Sequence, residues 1–452
     1  MSTLMANAYP KKRFFIDMFT KDISLEECIL DLIDNSIDGL IRTRHITPNE
    51  ISQTIFCQNG KRSRIGQLPT IALSYSMQSI EIDDKCGGID MDYALTEAFN
   101  FGHDPEHPTG YLGVYGIGLK RALFKLGDCF YLETHTKDNG FSCDLDIRRW
   151  LEKDDDLEHW KIPLIKLDKA PRISQAGTLI RVTRLHEEVQ MRIREGTLAA
   201  SLEHEISVTY AFFLEKYVRI TINGKAIEPF EIPLGQPQRG KIAFEKIIPD
   251  EGVVARVFAS LAAPDHRGRW EISKAGWYVA CNGRMVVHAD QTDLSGWGTP
   301  PMPQFHPKYR KFIGLVFFES DNPHKLPWTT TKRGLNRESR SYLRIRNKMA
   351  AVAQPVLSYL ANTYSGPSDD EEPIDRNIAD LVSQVNVGAA VANKTTVFKP
   401  PQRRTKPTIT RVQYDAEVNE LDLVRKHLRK TMTATAIGRH TFDYFLEKEG
   451  LK

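Results

Sequence analysis

The strongest constraint on the fold is an amphipathic helix that the sequence predicts from Leu25 onwards. Ser24 is the predicted N-cap, and Glu27 three residues later completes a capping box. At about 100° per residue, apolar and acidic side chains gather on opposite faces. The apolar face holds Leu25, Cys28, Ile29, Leu32, Ile33 and Ser36, and the other face holds Asp31, Asp34, Asn35 and Asp38. One face must therefore belong to a core, whereas the other concentrates negative charge.

The acidic face of this helix has two interpretations. Most such faces are simply solvated. Here the amide of Asn35 follows Asp31 by four residues, which puts both side chains on the same side of the helix. A neutral amide beside a carboxylate suits Mg²⁺ coordination next to a base that activates water. Taken alone, the helix leaves both interpretations open.

A second signal is a short predicted strand that runs into an acidic, glycine-containing turn at residues 79–90. Asp84 in this turn can accept a hydrogen bond from an exocyclic amine such as adenine N6. The following Gly87 and Gly88 allow a flat base to approach the backbone. An ordinary turn after a strand explains the same pattern.

Two further signals contain glycine. Residues 110–124 form a glycine loop that enters an apolar-periodic helix, where backbone amides attract anions and Lys120 and Arg121 add charge for phosphates. No predicted strand immediately precedes this loop and no Gly-Lys-Ser/Thr ending follows it, which disfavours a Rossmann site and a P-loop. Gly177 and Thr178 begin a strand whose hydroxyl could contact a base or a water, although a plain strand start is the alternative.

In this order, the four segments resemble the GHKL ATPase superfamily, which comprises gyrase-type topoisomerases, large heat-shock chaperones, histidine kinases and MutL, with the MORC proteins alongside. The resemblance covers residues 11–190. The run from Asn35 to Asp38 is most similar to the topoisomerase and MORC versions. The resemblance implies ATP and Mg²⁺ as ligands, and we expect a bacterial stand-alone protein.

The resemblance also implies a role for each matching residue. Asp31 is the expected catalytic base, Asn35 the Mg²⁺ ligand and Asp84 the adenine-binding aspartate. The other expected nucleotide contacts are Asp38, Gly88, Gly113, Tyr115, Gly116, Ile117, Gly118, Lys120 and Thr178. A lid over residues 99–112 would close over the nucleotide.

Two residues depart from the family pattern. Asp31 stands where the family has glutamate, so its carboxylate lies one methylene further back. We therefore expect slow hydrolysis, or a reliance on Glu27 as the base. Cys86 stands at the first glycine of the aspartate box, which changes the expected geometry of the base pocket.

The patterns predict an α+β protein with several regions. Residues 1–195 should form the two-layer α/β sandwich of the Bergerat ATP-binding fold, and residues 196–362 a transducer-like α+β domain. Residues 363–410 read as a partly disordered linker, and residues 411–452 as two short helices with Gly438 near their junction. The loop that contains Lys332 resembles the family's loop whose lysine contacts the γ-phosphate; the alternative is an exposed loop lysine.

The overall charge gives no case for nucleic-acid binding, because 61 Lys and Arg residues face 58 Asp and Glu residues. Only local clusters could contact DNA, namely Lys399, Arg403, Arg404 and Lys406, and Arg425, Lys426, Arg429 and Lys430. Scattered cysteines without a CxxC pair favour a reducing compartment without structural zinc. The absence of a signal-peptide core and of a long apolar run predicts a cytoplasmic protein with no membrane partner.

The sequence therefore predicts a slow ATPase that uses MgATP to switch its domain arrangement or to form a homodimer, with DNA or proteins as potential partners. Two alternatives stay open: a nucleotide-sensing scaffold with little hydrolysis, and a chaperone that acts on polypeptides. A histidine kinase is disfavoured, because only about 24 residues precede the first box and leave no space for its phosphoacceptor helices.

Overall fold

The computed structural model describes residues 11–56, 68–102, 112–153, 160–167, 176–214, 216–364, 378–392, 394–402, 412 and 415–451. The chain divides into one compact unit that ends at Gln402 and a second that begins at Arg403. The first unit contains two large sheets with packed helices, so the expected α+β class is confirmed.

The first sheet has eight strands in the order β5-β4-β3-β6-β2-β1-β7-β8. Their bounds are β1 Thr70–Tyr75, β2 Ser79–Asp84, β3 Gly127–His135, β4 Gly140–Asp146, β5 Ile165–Lys166, β6 Gly177–Leu185, β7 Arg219–Ile222 and β8 Lys225–Ala226. The β1–β7 pair is parallel, whereas the other neighbouring pairs are antiparallel. β7 and β8 follow residue 195, so this sheet extends past the predicted end of the first domain. The physical reason is that β7 places buried Ile220 and Ile222 beside β1.

Helices of the first region surround this sheet. They are α1 Lys12–Thr20, α2 Leu25–Arg44, α3 Pro48–Phe56, α4 Met91–Tyr93, a π-helix at Ala94–Ala98, α5 Gly118–Leu126, α6 Ile147–Leu151, α7 Glu187–Arg194 and α8 Leu198–Thr209. α2 begins with the predicted capping box, in which Ser24 and Glu27 bond each other's backbone amides. Its apolar face is buried, but so are Asp31, Asp34 and Asp38 on the other face. The acidic face is therefore not a solvated surface.

The second sheet has six strands in the order β13-β12-β14-β11-β10-β16. Their bounds are β10 Ile242–Asp250, β11 Val253–Leu261, β12 Gly276–Cys281, β13 Arg284–Asp290, β14 Phe312–Glu319 and β16 Lys394–Thr395. Every residue of β14 is buried, and α9 (Arg340–Thr363) packs against β10, β11 and β14. The turn between β12 and β13 has positive φ at both Asn282 and Gly283, as tight hairpins prefer.

Part of the predicted linker is folded against this second region. β15 (Val382–Gln384) pairs with β9 (Gly235–Pro237), β16 pairs with β10, and α10 (Val387–Ala392) lies between them in the chain. Val382 and Phe398 are buried, so apolar contacts stabilise the packing of this segment. Residues 365–377, 393 and 403–410 of the linker prediction, including Arg403, Arg404 and Lys406, lie outside the described residues.

The second unit contains α11 (Val418–Leu428) and α12 (Ala434–Lys448). The prediction that Gly438 lies near their junction is wrong, because α12 begins at its N-cap Thr433 and includes Gly438. The basic cluster of this unit does not share one helical face. Arg425 lies in α11, where it pairs with Asp422, whereas Arg429 caps that helix in the left-handed conformation.

The described cysteines are all unpaired. Across the described part of the chain, no helix has both the length and the apolar character needed to cross a bilayer.

Candidate functional site

One open pocket collects residues from all four predicted segments and from the lysine loop. Every predicted site residue lines it: Asp31, Asn35, Asp38, Asp84, Gly88, Gly113, Tyr115, Gly116, Ile117, Gly118, Lys120, Thr178 and Lys332. The amide of Asn35 and the carboxyl of Asp84 thus face the same cavity. Of the predicted lid, residues 103–111 lie outside the described residues.

The Asp84 end of the pocket is built by two neighbouring strands. Asp84 ends β2 and is the cross-strand partner of Thr178 on β6. Its buried carboxylate accepts hydrogen bonds from the Ser36 hydroxyl at 2.8 Å and from the Cys86 amide at 2.8 Å. Burial raises the pKa of Asp84 to about 6, although those hydrogen bonds act against the increase. At neutral pH the site therefore presents an oriented acceptor.

Two glycines at this end are required by close backbone approach. A Cβ on Gly88, which has φ +73°, would lie 2.0 Å from the His135 carbonyl oxygen. A Cβ on Gly177 would lie 1.9 Å from the Asp84 carbonyl oxygen. A side chain at Gly177 would push apart the strands that carry Asp84 and Thr178, and one at Gly88 would push the turn after β2 away from β3.

The opposite end of the pocket brings α2 against the glycine loop. A Cβ on Gly113 would lie 3.1 Å from Asn35 Oδ1, and one on Gly118 would lie 3.1 Å from Asp31 Cγ. Asn35 itself is exposed within the pocket, so its amide oxygen is accessible to a ligand. The described residues contain no group of three or more His, Cys, Asp or Glu side chains arranged around a metal. An accessible amide oxygen is a suitable single ligand for Mg²⁺, which commonly takes its other ligands from phosphates and water.

Asp38 fixes the start of the glycine loop. Its carboxylate accepts hydrogen bonds from the amides of Leu112 at 2.8 Å and Gly113 at 2.6 Å. Burial raises the pKa of Asp38 to about 6. Since the Gly113 amide already donates to Asp38, the expected row of phosphate-binding amides cannot begin at Gly113. Amides nearer the start of α5 are left for an anion.

The two cations expected to face phosphates are instead engaged by the protein. Arg121 Nη2 lies 2.5 Å from Asp31 Oδ2 in a buried ion pair. Lys120 is also buried, and its ammonium donates to the Ala98 carbonyl at 3.0 Å. Burial lowers the pKa of Lys120 to about 7. The sequence could not reveal these pairings, because Asp31 and Arg121 are far apart along the chain.

Glu27, the alternative base, does not line the pocket. One of its carboxylate oxygens accepts the Ser24 amide in the capping box, and the other lies 3.5 Å from Arg333 Nε. These contacts hold Glu27 at the start of α2. Asp31 and Asp38 are the α2 carboxylates that line the cavity, and Asp38 bonds the amides at the start of the glycine loop.

Lys332 is not an exposed loop lysine, since only 4% of the residue is accessible. Its ammonium donates to the Leu112 carbonyl at 3.0 Å, contacts the Asp34 carboxylate and lies 3.6 Å from Asp31 Oδ1. Thr330 from the same loop also lines the cavity. The region after the first sheet thus supplies one wall of the pocket.

Sequence reasoning assigned no role to Asp34 and Arg284. Asp34 is fully buried, and its Oδ1 accepts from Arg284 Nε at 3.0 Å and from the Tyr210 hydroxyl at 2.8 Å. Burial would raise the pKa of Asp34, but the charges of Arg284 and Lys332 outweigh it and hold that pKa below its usual value. The available signals were an acid on the polar face of α2 and an arginine directly after a hairpin turn.

Arg42 and Tyr93 also line the pocket without having been predicted. Arg42 Nη2 donates to the Gly88 carbonyl at 2.9 Å, and its guanidinium lies 5.9 Å from the centre of the Tyr93 ring. Arg42 follows Asn35 by two helical turns, so the periodicity of α2 could have identified it.

Residues 23–178 match the family model described as histidine kinase-, DNA gyrase B-, and HSP90-like ATPase. The matched segment contains α2, β2, the glycine loop and the start of β6. It supports a GHKL-type ATPase domain in this part of the chain and, with it, ATP binding. No curated protein matches the chain.

Proposed function

We propose that this protein binds ATP with Mg²⁺ in the pocket and hydrolyses it slowly, as a switch of domain arrangement. The observation that carries this proposal is the convergence of Asn35, Asp84 and Lys332 on one cavity, within and beyond the matched segment. Each of the three would bind a different part of a magnesium nucleotide. The Asp84 carboxylate would accept a hydrogen bond from the base, the Asn35 amide would bind the metal, and the Lys332 ammonium would bind the phosphate.

Asp84 would recognise the adenine. Its carboxylate is oriented by Ser36 and the Cys86 amide, and it can accept the exocyclic amine of adenine. Guanine presents a carbonyl oxygen in place of that amine, so an ionised Asp84 would repel it. Thr178 lies beside Asp84 and provides a hydroxyl to the same end of the pocket.

Asn35 and Asp31 would act at the phosphate end. Asn35 would hold Mg²⁺, which neutralises phosphate charge and polarises the terminal phosphate. Asp31 would orient the attacking water and accept its proton. Because Arg121 neutralises Asp31 and an aspartate is shorter than the usual glutamate, we expect turnover to be slow.

Lys332 would donate to the terminal phosphate. Because its loop follows β14 of the second sheet, a change at the phosphate can move that region relative to α2. We expect the ATP and ADP states to differ in this arrangement and in homodimer formation. The molecular mass in solution with ATP, ADP and a non-hydrolysable analogue tests the second point, and a mass independent of nucleotide would contradict it.

A nucleotide-sensing scaffold with little hydrolysis is the second candidate, favoured by the Asp31–Arg121 ion pair. Steady-state phosphate release by the wild type and by Asp31→Asn separates the two. Equal rates support the scaffold, whereas a lower rate in Asp31→Asn supports the ATPase. Stimulation of that rate by DNA or by unfolded polypeptide distinguishes a DNA-directed role from a chaperone.

The direct test of the pocket is nucleotide affinity, measured by calorimetry on Asp84→Asn and Asn35→Ala. We expect Asp84→Asn to abolish ATP binding and Asn35→Ala to abolish its Mg²⁺-dependent part, with both proteins folded by circular dichroism. Asp138→Asn, on an exposed turn of the same sheet, is the control and should bind normally. Unchanged affinity in both pocket variants would refute the assignment.

A further inference from the structure

Four buried polar side chains from distant parts of the chain meet beside the pocket. They are Asp34 on α2, Tyr210 after α8, Arg284 at the start of β13 and Lys332 in the loop after β14. The Asp34 side chain has no accessible surface, and those of Arg284 and Lys332 are 2% and 5% accessible. Buried charges are costly unless they are paired, so these contacts constrain one another strongly.

Asp34 lies at the centre of this cluster. One carboxylate oxygen accepts from Arg284 Nε at 3.0 Å and from Tyr210, and the other accepts from Lys332. Arg284 Nη1 also donates to the backbone carbonyl of Lys332 at 2.7 Å. Arg284 therefore constrains Lys332 in two ways. It bonds the Lys332 backbone carbonyl directly, and it orients the Asp34 carboxylate that contacts the Lys332 ammonium.

Lys332 needs this support for two reasons. Its φ of +56° is in the left-handed region, which a lysine rarely adopts without tertiary contacts. Its side chain is also long and flexible, so the position of the ammonium depends on what it contacts. A planar guanidinium can bond both Asp34 and the Lys332 carbonyl in one fixed geometry.

The local charges are balanced once all three buried carboxylates are counted. Asp31, Asp34 and Asp38 face three cations, Arg121, Arg284 and Lys332. Lys332 nevertheless lines the cavity, so a phosphate can approach its ammonium without breaking the Asp34–Arg284 pair.

We propose that Arg284 is a positioning residue, which through Asp34 and the Lys332 carbonyl holds the Lys332 ammonium where a terminal phosphate binds. This inference rests on the proposed function, because it requires Lys332 to contact that phosphate. Without Arg284, the ammonium keeps its charge but loses its fixed position. The binding advantage of a triphosphate over a diphosphate then disappears, while contacts to adenine remain.

The test is a double-mutant cycle on the ratio of the affinities for a non-hydrolysable ATP analogue and for ADP. Lys332→Met should lower this ratio about tenfold or more, as expected for the loss of a hydrogen bond to a charged group. Arg284→Met should lower it similarly, and the double variant should be no worse than either single variant. ADP affinity should change little in all three.

Arg256→Met is the matched control, because Arg256 pairs with Glu319 elsewhere in the second sheet and does not line the pocket. It should leave the ratio unchanged. If Arg284→Met does not fold, Arg284→Lys replaces it: a flexible ammonium lacks the planar fork that bonds both acceptors in one fixed geometry, so the ratio should fall part of the way. Equal losses of analogue and ADP affinity, or additive effects in the double variant, would overturn the inference. A wild type without nucleotide affinity would overturn the proposed function instead.

Discussion

The buried carboxyl of Asp84 lowers the stability of the folded protein at neutral pH, but it provides a hydrogen-bond acceptor for a ligand. Its pKa is raised from 3.8 to about 6, chiefly by burial, so the folded state binds a proton more tightly than the unfolded chain does. The stability that this group contributes is fully present below about pH 4 and is lost as the pH rises through about 6. At neutral pH, the ionised group lowers the stability of the nucleotide-free protein. A ligand that donates a hydrogen bond to it recovers part of that loss.

We expect Asp84→Asn to melt at a higher temperature than the wild type when no nucleotide is present. The asparagine oxygen can accept the Cys86 amide, and its amide group can donate to Ser36, so the packing is kept while the charge is lost. The gain should be on the order of 1–3 kcal/mol above pH 7, since one pKa unit corresponds to about 1.4 kcal/mol. Thermal unfolding from pH 5 to pH 8 measures it. The difference should widen with pH, and a constant difference would contradict the explanation.

At the scale of single residues, the sequence predicted many of the side chains that line the pocket, but not Arg42 or Tyr93, and not how the side chains pair. Asp84, Asn35 and Gly118 lie in local patterns whose chemistry can be recognised within a few residues. The partners of Asp34 and Arg121 cannot be recognised in this way, because each ion pair joins residues from distant parts of the fold. The sequence predicted that Lys120 contacts a phosphate, but the Lys120 ammonium donates a hydrogen bond to the Ala98 carbonyl.

The first sheet extends past residue 195, where the helix and strand patterns predicted the end of the first domain. β7 and β8 are short, and β7 pairs in parallel with β1, which precedes it by well over a hundred residues. Short strands with distant partners carry little periodicity of their own. β16 also has only two residues, and its pairing with β10 could not be predicted from a polar, proline-containing segment.

We expect a fragment ending at residue 195 to be much less stable than one ending at residue 232. The shorter fragment lacks β7 and α8, which removes buried Ile220, Ile222 and Leu202 and leaves β1 as an open edge. Soluble yield and thermal unfolding of the two fragments measure the difference. Equal stability would show that β7 adds little to the first sheet.

For the whole molecule, the lysine loop is one connection between the pocket and the region of the second sheet, and Arg284 of β13 provides another through Asp34. The sequence predicted this loop because its motif is local and follows a clearly apolar strand. The sequence did not predict that Asp34 binds Lys332, so this contact is recognised only in the structure. The division of the chain into functional domains stays a prediction.

We expect a non-hydrolysable ATP analogue to slow amide hydrogen exchange in two segments, around Asp84 and over residues 327–336. In Lys332→Met, the protection over 327–336 should be lost, because the loop no longer contacts the phosphate, whereas protection around Asp84 should persist. Exchange measured by mass spectrometry with and without the analogue tests this expectation. Loss of protection in both segments would indicate a general failure of binding rather than a broken connection.

The position of Lys332 in the pocket has a consequence for the synthesis of the protein on the ribosome. Asp31 is translated before its partner across the pocket, Lys332, which follows about 300 residues later. At roughly 5–20 residues per second, the interval is on the order of 15–60 s. During that time the nascent chain holds Asp34 without the cations that neutralise it. If Lys332 has the role proposed above, full nucleotide affinity is acquired only after residue 332 has been translated.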